Sequence, residues 1–429
     1  MPARSTRSAA ARPAADPPGT PARRAALKLL DAVLRRGLAL EAALDNAASG
    51  LSGPDRGLAH AIVAETLRRL PDLDALIDSA TARPLPEDAK ARFALRIALV
   101  QALALGTPPH AAISTALPLV DGGPRKLVHG VFGTLLRQGA TLAEPPTLPD
   151  PVALRWHAAW GDQLIEDAER AIAVPPPIDL SLRDPSRAPD LPGTSLLSGQ
   201  FRLDERANVA ELPGFAEGEW WVQDLAASLP ARMLGAGTGR ALDLCAAPGG
   251  KTLQLAAAGW DVTSVDISES RLARLDENLA RTGLGAKVVT ADLLNWSPDV
   301  PADVVLLDAP CSATGIFRRH PDVLHRVRPS LIAEMADLQA KLLARAADWV
   351  RPGGLLVYAT CSLEPAEGEA QLERFLGERS DFTLDPILAD ELPEGIPVNP
   401  KGWLRTLPGM LADKGGLDGF FIARMMRTA

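Results

Sequence analysis

The chain has 429 residues, 47% of them apolar and 23% charged, with a net charge of −8. That length predicts two or three domains with sizeable cores, and the acidic total excludes indiscriminate nucleic-acid binding. Three cysteines, no Cys/His group at zinc spacing and no apolar run near the roughly 18 to 20 residues that cross a bilayer argue against a disulfide scaffold, a bound metal and a membrane protein, and favour a reducing, cytoplasmic setting.

Residues 1–20, rich in Ala, Pro, Arg and Ser, read as a disordered leader. Residues 1–36 hold eight Arg or Lys against Asp16 and Asp31, a net of +6 that leaves −14 for the remainder. From Pro21 to about Leu142 apolar residues recur near a 3.6 period (Ala25, Leu29, Leu30, Val33; Leu58, Ile62, Leu67, Leu70). Breakers at Ser52-Gly53-Pro54, Arg83–Pro86 and Thr107-Pro108-Pro109 divide these runs, so the region 21–145 is predicted to be an all-α bundle of five to seven helices. Glu144–Pro149 is Pro-rich and reads as a semi-rigid linker. Residues 150–215 read as a small α+β module: helix over Val152–Arg170, a strand at Ile178–Leu182, then a Pro/Ser-rich connection over 181–199.

From 216 to 429 the texture becomes strand–helix alternation. Strands are predicted at Ala241–Cys245, Asp261–Asp266, Lys287–Thr290, Asp303–Asp308 and Leu355–Thr360, with helices at Lys251–Ala258, Glu269–Arg281 and Pro329–Val350. This order implies a mainly parallel, doubly wound sheet, closed by an antiparallel hairpin within Trp403–Arg427.

Each cysteine follows an apolar run, where a buried strand emerges at the sheet rim that binds ligands in open α/β folds. Cys245 lies in Asp243–Thr252, Cys311 in Asp308–Gly315, and Cys361 in Tyr358–Ser362. The loop Cys245-Ala246-Ala247-Pro248-Gly249-Gly250-Lys251 lets backbone pass close to a ligand and opens a helix N-terminus. Gly235-Ala236-Gly237-Thr238-Gly239 looks like a dinucleotide fingerprint but precedes its strand, so it is read as a connecting loop. Asp266, Asp292 and Asp308 end successive strands, a pattern suited to ribose hydroxyls and an adenine amino group. Pro365 predicts a helix start just after Cys361, whose positive end would favour a thiolate, although Glu364, Glu367 and Glu369 oppose this. The basic run Arg318-Arg319-His320 to Arg328 follows the Cys311 string and reads as a phosphate-attracting patch.

Together these strings, with Arg318–Asp322, Gly353–Ser362 and Asp418-Gly419-Phe420-Phe421, resemble the RsmB (Sun/Fmu) family of 16S rRNA (cytosine-C5)-methyltransferases, whose N-terminal domain is NusB-like. The resemblance implies a class I methyltransferase fold, Rossmann-like with a mainly parallel seven-stranded sheet. It implies S-adenosyl-L-methionine as cofactor, held by Cys245–Lys251, Asp266, Asp292 and Asp308, with Arg271 a weaker candidate. It makes Cys361 the nucleophile that adds to C6 of cytosine, Cys311 the helper in product release, and Asp308 the acid that meets N3 of the base. The partner it implies is RNA rather than DNA or membrane; the sequence leaves the oligomeric state open, with a monomer as the expectation. In one respect the chain departs from the family: Glu367-Gly368-Glu369 stands where Glu-Asn-Glu is usual. A tRNA cytosine-C5 methyltransferase, and a non-catalytic RNA-binding factor on the same fold, are the competing expectations.

Overall fold

A computed structural model describes residues 16–428, which divide into two compact units at Thr147/Leu148. The first unit is helical throughout: α1 (Thr20–Leu34), α2 (Leu40–Ala47), α3 (Gly53–Arg68), α4 (Leu70–Ser79), α5 (Lys90–Leu103), α6 (Pro109–Ala116) and α7 (Gly122–Arg137). Helix α5 is the axis of the bundle, buried from Ala91 to Gln101, so its arginines must find partners inside. Arg96 makes a two-pronged pair with Asp74, and Arg92 reaches Asp74 and Asp78. Ser52 caps α3 through its side chain at the predicted breaker. The leader expected over 1–20 lies outside the described residues as far as position 15; Thr20 is already the buried first residue of α1.

The second unit begins with two helices, α8 (Asp150–Trp160) and α9 (Asp162–Ala173), and a four-stranded sheet. Its strands are β1 (Asp179–Leu182), β2 (Gly193–Leu197), β3 (Gln200–Leu203) and β4 (Trp220–Val222), ordered β2-β3-β1-β4. Two expectations change here. The supposed connection over 181–199 contains β2, whose alternation is masked because three of its five residues are only partly covered and two are exposed. Strand β4 pairs with β1, so the boundary expected at 215/216 cuts through this sheet.

After α10 (Leu225–Arg232) come β5 (Arg240–Leu244), α11 (Gly250–Ala257), β6 (Asp261–Asp266), α12 (Glu269–Thr282), β7 (Lys287–Thr290) and β8 (Ala302–Asp308). The chain continues through a short α13 (Val323–Arg326), α14 (Pro329–Asp348), β9 (Val350–Thr360), α15 (Glu369–Glu378), β10 (Phe382–Leu384), β11 (Leu404–Thr406) and β12 (Phe420–Arg427). The large sheet runs β10-β12-β9-β8-β5-β6-β7, with β11 pairing the first residues of β12 on the edge that β10 takes further along, making eight strands. Strands β9-β8-β5-β6-β7 are parallel, and β12 enters antiparallel to β9. Apolar residues on both faces explain this burial: Leu242 and Leu244 pack into one core, Ala241 and Leu306 into the other. Strand order reverses between β5 and β8, and a crevice opens beyond the carboxyl ends at such a reversal. Cys245, Asp266, Asp308 and Cys361 all lie at those ends.

Candidate active site

The loop after β5 is shaped by close packing. Cys245 takes a left-handed backbone (φ 61°), and Gly249, at φ 109°, leaves no room for a side chain because Leu275 lies against it. Ala247 N–H donates to Asp266 Oδ2 at 3.1 Å, and Ser268 N–H to Asp266 Oδ1 at 2.9 Å. Asp266 is thereby fixed at the lip of the crevice, with Arg271 bonded to the Ala247 carbonyl and 3.8 Å from Asp266. Lys251 reaches across to Asp308 Oδ2 at 2.7 Å. Burial opposes its charge, but Asp308 outweighs that and holds the ammonium above its ordinary range. Asp292 is placed differently: its carboxylate accepts from Leu294 N–H and the Asn295 amide, ordering the turn after β7.

Burial, then the nearby acids Asp308, Asp266 and Asp243, push the Cys245 thiol far upward, so it remains a thiol. Cys311 and Cys361 differ: their sulfurs are 3.4 Å apart at the ends of neighbouring strands β8 and β9. Contact with Cys361 first, and burial second, raise the Cys311 thiol well above its usual range. Cys311 is therefore held as a thiol, its sulfur in contact with Cys361 Sγ.

The structure moves the source of thiol activation. Pro365 opens only a three-residue 3-10 turn, and α15 begins at Glu369. A turn that short has no accumulated dipole to offer Cys361. The three acids expected to oppose a thiolate are each engaged instead. Glu364 pairs with Arg155 at 2.8 Å and accepts from Trp156 Nε1 at 3.0 Å. Glu369 takes a two-pronged bond from Arg405 at 3.0 and 2.6 Å.

Glu367 is wholly buried and joins the two cysteine loops. Its carboxylate accepts from Ser312 N–H at 2.8 Å, Ser312 Oγ at 2.5 Å, Ser362 Oγ at 2.5 Å and Gln339 Nε2 at 3.1 Å. Burial raises its pKa while those donors pull the other way. Since Ser312 and Ser362 directly follow the two cysteines, one carboxylate sets the separation of both sulfurs. The same loops are drawn together by Gly315 N–H to Cys361 O at 3.0 Å and Gly419 N–H to Gly315 O at 2.9 Å. The Asp-Gly-Phe-Phe string thus closes over the Cys311 loop, and a side chain at Gly315 would strike the Gly419 carbonyl.

Two residues carry more here than the sequence reading gave them. Asp243, fully buried on β5, accepts from Thr252 Oγ1 at 2.5 Å, while its Oδ1 is buried without a partner. Burial pushes its carboxyl up to about 7. The signal for it was an acid inside the apolar run Leu242-Asp243-Leu244. Glu367 had a weaker signal, since its role depends on contacts across 55 residues of sequence.

The basic run is corrected by its partners. Arg318 and Arg319 both pair with Asp224 and Asp418, at distances from 2.6 to 3.7 Å, and Arg326 pairs with Asp322 at 2.8 Å. These guanidiniums brace the first and last parts of the unit, so they are not a free phosphate patch; Arg328 is the exposed cation of the run. Gly235–Gly239 leads into β5, as expected of a connecting loop.

A parallel sheet reversing at β5/β8, a glycine loop under an acid-lined crevice and two touching thiols define a methyltransferase of the Rossmann-like class. A match to the family described as 16S rRNA methyltransferase RsmB/F spans residues 236–426, and one to the NusB family spans 20–135. Ribosomal RNA small subunit methyltransferase B of Xanthomonas campestris is 36% identical over 395 residues, covering 86% of this chain and 90% of that protein. Its namesake in Klebsiella pneumoniae is 35% identical, covering 94% and 97%. The solved structure of PH0851 shares the fold, with a TM-score of 0.72 at 23% identity over 96% of this chain and 99% of that one. The chain belongs to the RsmB/F family of rRNA methyltransferases and is an S-adenosyl-L-methionine-dependent RNA methyltransferase. The crevice fits that donor: it offers acids at two strand ends, the start of α11, and the unpartnered Asp243 oxygen beneath the loop.

Proposed function

We propose that the enzyme methylates C5 of a cytidine in 16S rRNA through a covalent bond between Cys361 and C6 of the base. The observation that carries this reading is the Cys311–Cys361 pair, 3.4 Å apart beside Asp308 and the cofactor loop. C5 of cytosine is a weak nucleophile. When Cys361 Sγ, as thiolate, adds to C6, the C5–C6 π electrons become available and C5 can accept a methyl group. S-adenosyl-L-methionine, when bound, would supply that methyl as an electrophile, and Cys245–Lys251, Asp266 and Asp308 would hold it, with Asp292 shaping the pocket edge. Asp308, positioned by Lys251, also contacts the N3 edge of the base.

Cys311 begins as a thiol, its proton held by contact with Cys361 and by burial. Once Cys361 has become a thioether that contact no longer holds the Cys311 proton; Cys311 releases it to solvent and, as thiolate, takes the proton from C5. Loss of that proton restores the C5–C6 double bond and expels Cys361. In this scheme the helical region 21–145 and the module formed by α8, α9 and the β1–β4 sheet grip RNA, and the large-sheet region that follows performs the transfer. The base has to leave its stack to reach the crevice. Bisulfite sequencing of rRNA and tRNA from cells with and without the gene tests the substrate: one 16S cytidine should lose its mark. Loss of a tRNA mark instead would transfer the reading to tRNA, and loss of none would favour a non-catalytic factor.

A further inference from the structure

Aromatic residues are scarce, at 4% of the chain, so their convergence on a cavity is informative. Trp160 at the end of α8 and Trp403 beside β11 share the walls of a cavity of about 720 Å3, with Lys401, Arg405 and Pro365. It borders the Cys361 loop directly. Trp160 Nε1 donates to the Leu363 carbonyl at 2.9 Å, and Arg405 donates to the Ser362 carbonyl. Gly368 leaves the space that the Arg405 guanidinium occupies. Each indole carries a cation: Arg405 lies 5.2 Å from the Trp160 ring, and Lys401 5.1 Å from the Trp403 ring. Glu369 neutralises Arg405, whereas Lys401 is exposed and has no carboxylate partner among the described residues. Trp403 Nε1 is buried without an acceptor.

The volume is that of a small-ligand site. Aromatic faces flanked by cations are how single-stranded nucleic acid is held, because every base has a face to stack and every linkage a phosphate. We infer that this cavity receives an unstacked base of the RNA strand flanking the target cytidine, the indoles stacking it and Lys401 meeting its phosphate. The inference rests on the RNA reading above and deepens it by adding a second base subsite on the outer side of the Cys361 loop.

The test uses the full-length enzyme and RNA oligonucleotides containing the mapped cytidine, each with one abasic nucleotide at a different flanking position. One abasic position should raise KM, and Kd by fluorescence anisotropy, about tenfold, with kcat changed by less than about twofold. Trp403→Leu should weaken binding of intact RNA and blunt the effect of that abasic position, and Lys401→Ala should weaken binding of intact and abasic RNA alike, with a smaller dependence of Kd on salt. Lys401 lies on the surface, so its variant keeps the test open if Trp403→Leu fails to fold. The inference is overturned if no flanking position matters, if the abasic effect persists at full size in a folded Trp403→Leu, or if Lys401→Ala binds intact RNA as tightly as the parent. Binding of a proline-rich peptide at the cavity without any abasic effect would overturn it in favour of a protein partner. Failure to methylate intact RNA would instead sink the functional reading, and the anisotropy data would still report on the subsite.

Discussion

Two kinds of strand end meet in one crevice. The loop after β5 presents backbone: Cys245 is locked as a thiol, Gly249 is packed under Leu275, and Ala247 N–H is held by Asp266. The loops after β8 and β9 present side chains, Cys311 and Cys361, in contact and braced from below by Glu367. Cysteine at a strand end therefore has no fixed meaning. A thiol surrounded by acids in a buried turn is inert, while a thiol whose nearest neighbour is another thiol has a partner to share its proton.

Substitutions can break that contrast. The largest effect is expected from Cys361→Ala, which should reduce methyl transfer to background in a radiolabelled methyl assay, because no other described thiol reaches the same position. Glu367→Ala should lower kcat by about 100-fold, the scale of a reacting group misplaced by roughly 1 Å. Glu367→Gln should recover part of that loss by retaining the side chain's volume. A fall in kcat no larger than twofold in Glu367→Ala would show that the cysteine loops hold themselves.

Asp243 gives a pH prediction. Its carboxyl titrates near 7 in the folded protein against 3.8 in a model peptide. Below about pH 4 it is protonated in both states and has no effect; as pH rises toward 7 the unfolded chain ionises first, so folding stability is lost. The full loss is about 4 kcal/mol at 1.36 kcal/mol per pKa unit. Denaturant titrations at pH 5 and pH 8 should therefore differ less for Asp243→Asn than for the parent. An equal difference in both proteins would place the titration elsewhere. The smallest effect belongs to Cys245→Ser, expected to keep kcat and KM within about threefold. A loss as large as that for Cys361→Ala would erase the distinction between the loops.

Strands β5, β6 and β8 and the mainly parallel character of the sheet were legible because buried strands read as apolar runs between helical segments. The placement of Cys245, Cys311 and Cys361 at strand ends was legible for the same reason, since each follows such a run. Strand β2 was not, because it is half-exposed and sits among Pro and Ser; nor was β4, which pairs with β1 some forty residues earlier. The pairing of Arg318 and Arg319 with Asp224 and Asp418 was also hidden, since the partners lie about a hundred residues away in both directions. Charge read along the chain looked like a phosphate patch; charge read in space is a buried ion cluster. Pro365 misled in the opposite sense, because a good helix-opening residue began a single turn that Gly368 interrupts.

The central claim, that Cys361 bonds to the base and Cys311 helps release it, is tested most directly by Cys311→Ala. Incubated with substrate RNA and S-adenosyl-L-methionine, this variant should accumulate a protein–RNA adduct that survives denaturing electrophoresis and disappears in the Cys311→Ala, Cys361→Ala double variant. Normal methylation by Cys361→Ala, or an adduct that persists without Cys361, would contradict the account.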